Sequence, residues 1–249
     1  MEAEIPAGEH TVTLYKENGV NNEGKKTVTV TGLSFEGEFL KPEPKKDLYI
    51  EVVGDSISCG LGSLGVYTAG QKWELPDHSY THSFTYYLSK KLDADVELCG
   101  IGGIGIAKEV GGFTIDTLYD GLCFYRGDRK AYTYTREPNI IVIEIGANDT
   151  GVTDEREFRE KMRKFILAIH EKHPDSALIW AGKSERNYGA IKTIISEENL
   201  ENMFAVIHNY GGKGSAALTT QTAGHPDAAG QEGFADAIVK VIREKILTD

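Results

Sequence analysis

Nowhere in this 249-residue chain does an apolar run approach the roughly 20 residues that a membrane span requires. Positive charge is also in short supply, with 27 Lys and Arg against 38 Asp and Glu for a formal net charge of −11. Affinity for a phosphate backbone comes mainly from clustered Lys and Arg, so neither a nucleic acid nor a membrane is expected as a partner. Cysteine is scarce: Cys59, Cys99 and Cys123 make no disulfide framework and show no C-x-x-C or zinc spacing, which leaves them as small core residues. The opening residues, MEAEIPAGEH, lack the basic and apolar regions of a secretory signal. A complete chain of this kind is expected in the cytoplasm, and a fragment of a longer protein is compatible with secretion.

What is present is the composition of a globular protein, 40% hydrophobic and 26% charged. The length suits one α/β domain with a short extension. The extension comes first. HTVTLYK at 11–16, KTVTVTG at 27–32 and LSFEGEF beyond it alternate β-branched or aromatic residues with polar ones, a strand pattern, and NGVNNEG supplies a turn. A charged, Pro-containing connector, KPEPKK at 41–46, follows. Strands and helices alternate thereafter. DLYIEVVG and NIIVIEIG are nearly continuous apolar runs, as in central parallel strands covered on both faces, and further strands are expected at 95–99, ALIWAG and MFAVI. Helical spacing appears at Tyr80, Phe84, Tyr87, Leu88 and Leu92, at Phe158, Met162, Phe165, Ile166 and Ile169, over about 187–200, and at Phe234, Ala237, Ile238, Val241 and Ile242. Such alternation implies a parallel sheet between helical layers, with the site outside the carboxyl ends of the strands.

Those ends carry chemistry. Gly54-Asp55-Ser56-Ile57 closes the first strong strand and leads into a glycine-rich loop. CGIGGIGI offers backbone N–H groups open to close approach, Gly146-Ala147-Asn148-Asp149 puts a side-chain amide at the same rim, and Gly224-His225-Pro226-Asp227 precedes the last helix. A serine hydroxyl needs a base to become a nucleophile, and histidine suits that task near neutrality. The oxyanion of an acyl-transfer intermediate needs fixed donors, and the N–H of Ser56, the N–H of Gly103 and the amide of Asn148 are candidates. Asp227 reads as favourable charge in a first helical turn and Asp149 as a loop-shaping residue. Glu144 is an oddity, because a carboxylate in a buried strand is costly unless paired.

The ordered set of GDS, a glycine pair, GxND and HP resembles the SGNH or GDSL hydrolase superfamily, from about residue 47 to the C-terminus. The resemblance implies a three-layer α/β/α sandwich with a flavodoxin-like parallel sheet over residues 46–249. A β extension at 1–45 would precede it, as a remnant of a β-sandwich domain plus linker. It also implies Ser56 as nucleophile, His225 as base, and Ser56, Gly103 and Asn148 as the oxyanion hole, with no metal or organic cofactor. Within the superfamily the chain is most similar to carbohydrate esterase family two, which places a β-sandwich ahead of the hydrolase and removes O-acetyl groups from plant polysaccharides. A small-molecule or polysaccharide ester is therefore the implied substrate. Three departures stand out: Thr222 occupies the position where many relatives have Asp, Gly102 stands where many have Ser, and no Asn precedes the glycine pair. With no Asp at that position, a main-chain carbonyl is the expected partner of the outer imidazole nitrogen.

Trp73, Tyr67 and Tyr80 follow the nucleophile loop and are candidates for stacking on sugar rings, with core or rim packing as the equal alternative. His78 and His82 have metal-compatible i, i+4 spacing but no evident third ligand, and read as a solvated helix face. Two rival functions remain at this stage. One is a lipase or thioesterase for longer acyl chains, against which the mixed loop after Ser56 speaks. The other is a carbohydrate-binding module on a hydrolase scaffold, against which the intact Ser56, Asn148 and His225 speak.

Overall fold

In the first strand, β1 (Tyr49–Gly54), every residue is buried, as its run of large apolar side chains dictates. The computed structural model describes residues 6–17, 30–64, 78–119, 121–122, 130–133, 135–208 and 225–248. β2 (Asp95–Gly100), β5 (Ile140–Glu144), β6 (Ala177–Gly182) and β7 (Met203–Ile207) complete one sheet in the order β2-β1-β5-β6-β7, parallel throughout. A small antiparallel pair, β3 (Gly121–Leu122) and β4 (Lys130–Ala131), lies between β2 and β5 in sequence. The helices are α1 (Phe84–Leu92), α2 (Ile115–Leu118), α3 (Glu155–Lys172), α4 (Glu185–Glu197) and α5 (Ala228–Val241), the last running into a π-helical turn, Ile242–Ile246.

Alternation within each strand creates two cores. Ile141, Ile143, Leu178 and Trp180 face α3 and α4, packing with Phe158, Met162, Ile166, Ile191 and Ile194. Ile140, Val142, Ile179 and Ala181 face the other way, toward Phe84 and Leu88 of α1 and Phe234 and Ile238 of α5. Each such side chain contributes about 1.5–3 kcal/mol by leaving water, so the helices are held to the sheet on both faces. Serine or aspartate caps begin four of them: Ser83, Asp154, Ser184 and Asp227 each accept a hydrogen bond from an N–H of the first turn.

Strand order decides where a site can form. From β1 the chain crosses outward to β2, and from β5 it crosses in the opposite sense to β6 and β7. The loops leaving β1 and β5 therefore part at a switch point, opening a crevice at the carboxyl ends of these two neighbours. Register aligns those ends, with Gly54 opposite both Gly100 and Glu144.

The opening segment differs from its sequence pattern. Among the described residues, 6–17 and 30–48 form no strand, and alternating side chains such as Val12 (67% exposed), Leu33 (62%) and Phe39 (74%) face solvent. Alternation produces a strand only where a neighbouring edge accepts its hydrogen bonds, and no described segment does so here. Residues 27–29 lie outside the described ones. The segment is nonetheless fastened at Glu17. Its carboxylate accepts from Ser79 Oγ (2.6 Å), Thr81 Oγ1 (2.8 Å) and the Thr81 N–H (3.2 Å), and its carbonyl accepts from the Tyr80 N–H (2.9 Å).

Candidate active site

After Gly54 the backbone coils into a tight turn in which the Cys59 N–H reaches Asp55 O (3.2 Å) and the Leu61 N–H reaches Ser56 O (2.9 Å). Ser56 is thereby held 5% exposed with Oγ 2.7 Å from His225 Nε2. The histidine stands just ahead of α5, whose start is tied to the nucleophile turn. Ser63 O accepts from the Ala228 N–H (2.8 Å), while buried Gln231 donates to Ile57 O (3.0 Å) and accepts from the Phe84 N–H (2.9 Å). Phe84 and Phe234 stack edge to face beneath this join, with centroids 4.8 Å apart. Asp227, two residues after His225, accepts from the Gly230 N–H at 2.8 Å, and Glu144 accepts from Ser58 Oγ at 2.9 Å.

The glycine loop after β2 takes its shape from Asp149. That fully buried carboxylate accepts from the N–H groups of Ile106 (3.0 Å), Ala107 (2.8 Å) and Lys108 (2.9 Å). A side chain at Gly105 would run into the same carboxylate, so only glycine permits the approach. Gly103 adopts φ +87°, a conformation glycine reaches without strain. Neither the Ser56 N–H nor the Gly103 N–H finds an acceptor among the described residues. Asn148, half-buried at the end of the β5 loop, donates from Nδ2 to Asp55 Oδ2 (2.7 Å) and to Ile104 O (2.9 Å).

Beside the serine lies a buried acidic pair. Asp55 accepts from the Ile57 N–H at 2.9 Å, and it directly follows Gly54, the residue in register with Glu144 on the neighbouring strand, so that two buried carboxyl groups adjoin. Burial pushes both carboxyl groups above the usual carboxylate range, and the charge of each neighbouring carboxylate adds to the effect. Glu144 is raised well above it, first by desolvation and then by the charge of Asp55.

Residues 52–245 match the model of the GDSL-like Lipase/Acylhydrolase family. The chain belongs to that family. Among individual GDSL relatives it is 29% identical over 182 residues to an acetylxylan esterase / glucomannan deacetylase of Cellvibrio japonicus, covering 70% of this chain and 49% of that protein. It is 26% identical over 178 residues to the cellulase/esterase CelE of Acetivibrio thermocellus, covering 69% of this chain and 21% of that one. The chain thus spans half or less of the length of these relatives. A solved family two carbohydrate esterase from Clostridium thermocellum, in complex with cellohexaose, shares the fold. Its TM-score is 0.73 at 18% identity, over 85% of this chain and 68% of the other.

Of the residues singled out by sequence, the GDSL fold brings Ser56 and His225 into contact and sets Asn148 against the residue preceding the serine. Trp73 and Tyr67 lie outside the described residues. Tyr80 packs edge-on against Tyr86 with centroids 6.0 Å apart, and burial pushes its hydroxyl up to about 12. His78 departs from the solvated reading: it is 4% exposed, and Nδ1 accepts from the Gly62 N–H at 2.8 Å. The nucleophile loop folds over it and needs an acceptor there. Gln231 carried no sequence signal, since a glutamine in an amphipathic helix ordinarily faces water. Asp55 passed as part of a motif, and the oddity of Glu144 was the only pointer to the acidic pair.

Proposed function

We propose that this chain is a serine esterase that removes small acyl groups, acetyl foremost, from carbohydrate. In this reading residues 46–249 form the catalytic domain, to which the extension 1–45 is tied through Glu17. The observation that carries it is the 2.7 Å contact between Ser56 Oγ and His225 Nε2 at the switch point of the sheet, beside two backbone N–H groups that make no other bond among the described residues.

Ser56 Oγ attacks the ester carbonyl while His225 Nε2 takes the hydroxyl proton. The carbonyl oxygen gains the negative charge and is held by the N–H groups of Ser56 and Gly103 and by Asn148 Nδ2. Both protons of that amide already have acceptors. The bond to Asp55 is charge-assisted and the stronger of the two, so the proton facing the Ile104 carbonyl is the one that turns to the oxyanion. Collapse of the intermediate expels the sugar hydroxyl, which receives the proton from His225, and leaves acyl-Ser56. Water then repeats the sequence: His225 removes its proton, the acid departs, and the proton returns to Ser56.

Acetate as the leaving acid is supported by the relatives named for acetylxylan and glucomannan deacetylation and by a glycine loop that presents backbone to the serine. The test is a series of aryl esters from acetate to octanoate run beside acetylated xylan and mannan oligosaccharides. Falling kcat/KM with chain length and release of acetate from the oligosaccharides are expected, each clashing methylene being worth roughly 1–3 kcal/mol. Equal or rising kcat/KM toward octanoate would overturn the acetyl preference, and absence of hydrolysis on every ester would overturn the esterase reading.

A further inference from the structure

The carboxyl groups of Asp55 and Glu144 do not react in this scheme, yet they occupy adjoining strand ends directly beside the serine. Asp55 is 0% exposed and Glu144 2%. Two carboxyl groups buried side by side at paired strand ends are not tolerated as two anions, so one proton is retained between them. The surrounding donors say which group carries it. Asp55 is the better-supported anion: Oδ1 takes the Ile57 N–H and Oδ2 takes Asn148 Nδ2, with lone pairs to spare for a proton donated by Glu144. Glu144 accepts from Ser58 Oγ through Oε2, which leaves its other oxygen to bear the proton.

We propose that Asp55 and Glu144 share a single proton, kept on Glu144, and that Glu144 is thereby a positioning residue that acts through the Asp55 carboxylate to hold the Asn148 amide at the oxyanion site. The role of that amide rests on the esterase reading; the shared proton does not. An anionic Asp55 anchors Asn148 at 2.7 Å by a charge-assisted bond. Loss of the proton from Glu144 sets a second buried anion against Asp55 and displaces it, and an apolar residue in place of Glu144 leaves Asp55 to take up a proton itself; either way its grip on the amide is lost. Other ionisable groups facing the pair fit this assignment. Asp149 adds negative charge from the β5–α3 loop, which further disfavours a second anion. Cys59 in the nucleophile turn is kept neutral, its thiol pushed up to about 12 by burial and by the two carboxyl groups. His225 meets the pair across Ser56, whose Oγ lies 3.5 Å from Asp55 Oδ1.

Two measurements on the whole chain test the proposal. Infrared spectroscopy near neutral pH detects a protonated carboxyl by its carbonyl band, which is expected in the wild type and lost in Glu144→Gln. Steady-state kinetics on an aryl acetate compares Glu144→Gln, which still donates a hydrogen bond to Asp55, with Glu144→Leu, which cannot. The leucine variant is expected to lose roughly ten- to a hundredfold in kcat with little change in KM, the scale of a displaced catalytic donor, and the glutamine variant to recover most of that loss. The alkaline limb of the wild-type kcat profile, set by loss of the shared proton, should be absent in Glu144→Gln. No carbonyl band in the wild type, or a band that persists in Glu144→Gln, overturns the shared proton. Equal kcat for Gln and Leu variants of an active enzyme overturns the positioning role. An inactive wild type overturns the esterase reading and the positioning role with it, while the band still decides the proton.

Discussion

Ser56 Oγ and His225 Nε2 stand 2.7 Å apart although 169 positions separate them along the chain. The contact joins the end of β1 to the start of α5, and the Gln231 bridge to Ile57 and Phe84 keeps the two elements in register. Replacing Ser56 by Ala removes one oxygen from a turn whose backbone bonds do not involve it. The variant should keep the wild-type thermal midpoint within a degree or two while kcat on aryl acetate falls on the order of a millionfold. Near wild-type turnover would show that another group is the nucleophile.

Asp227 illustrates a carboxylate close to the histidine that works elsewhere. It caps α5 through the Gly230 N–H, so Asp227→Ala should destabilise the fold by about 1 kcal/mol and lower kcat only a few-fold. A thousandfold loss of kcat, the signature of a missing triad carboxylate, would reassign it as the partner of His225.

Asp149 is expected to matter more for stability than its distance from the dyad suggests. Alanine there strands the N–H groups of Ile106, Ala107 and Lys108. Of these only the Ile106 N–H belongs to a buried residue; leaving a buried donor unpaired costs about 1–3 kcal/mol, and a loss of about that size in urea unfolding is expected. Activity should fall with it, because Gly103 belongs to the same loop. A loss below about 1 kcal/mol would mean that the loop has other support.

The buried pair also sets a pH dependence of stability. Asp55 and Glu144 both bind protons more readily in the folded chain than in the unfolded one. Their contribution is therefore complete below the unfolded carboxyl values of about 4 and is lost as pH rises through the raised folded ones. Between about pH 5 and about pH 8 the thermal midpoint of the wild type should drop relative to that of Glu144→Gln, whose amide cannot ionise. Parallel curves for the two proteins would show that Glu144 titrates as an ordinary carboxylate.

Local pattern and tertiary structure divide this protein at a definable point. The five strands of the sheet and the major helices were legible because each is written in its own periodicity: YIEVVG and IIVIE are buried throughout, and Phe158, Met162, Phe165, Ile166 and Ile169 line one face of α3. Ser56, Asn148 and His225 were legible too, since short polar residues among glycines at strand ends or ahead of a helix mark positions that a parallel sheet turns toward its crevice. The alternation near Val12 and Leu33 misled because a strand pattern carries no information about whether an edge exists to receive it.

The sequence by itself determined the elements, their order along the chain and the residue types delivered to the carboxyl edge of the sheet. Only the tertiary structure decided which of those residues meet. The pairing of Asp55 with Glu144, the cradle that Asp149 builds for the glycine loop, the Gln231 bridge and the Glu17 clamp all join segments far apart in sequence. Periodicity states that a side chain will be buried but not beside what. A buried polar group takes its meaning from its partner, because the partner decides whether it is charged, neutral or merely structural.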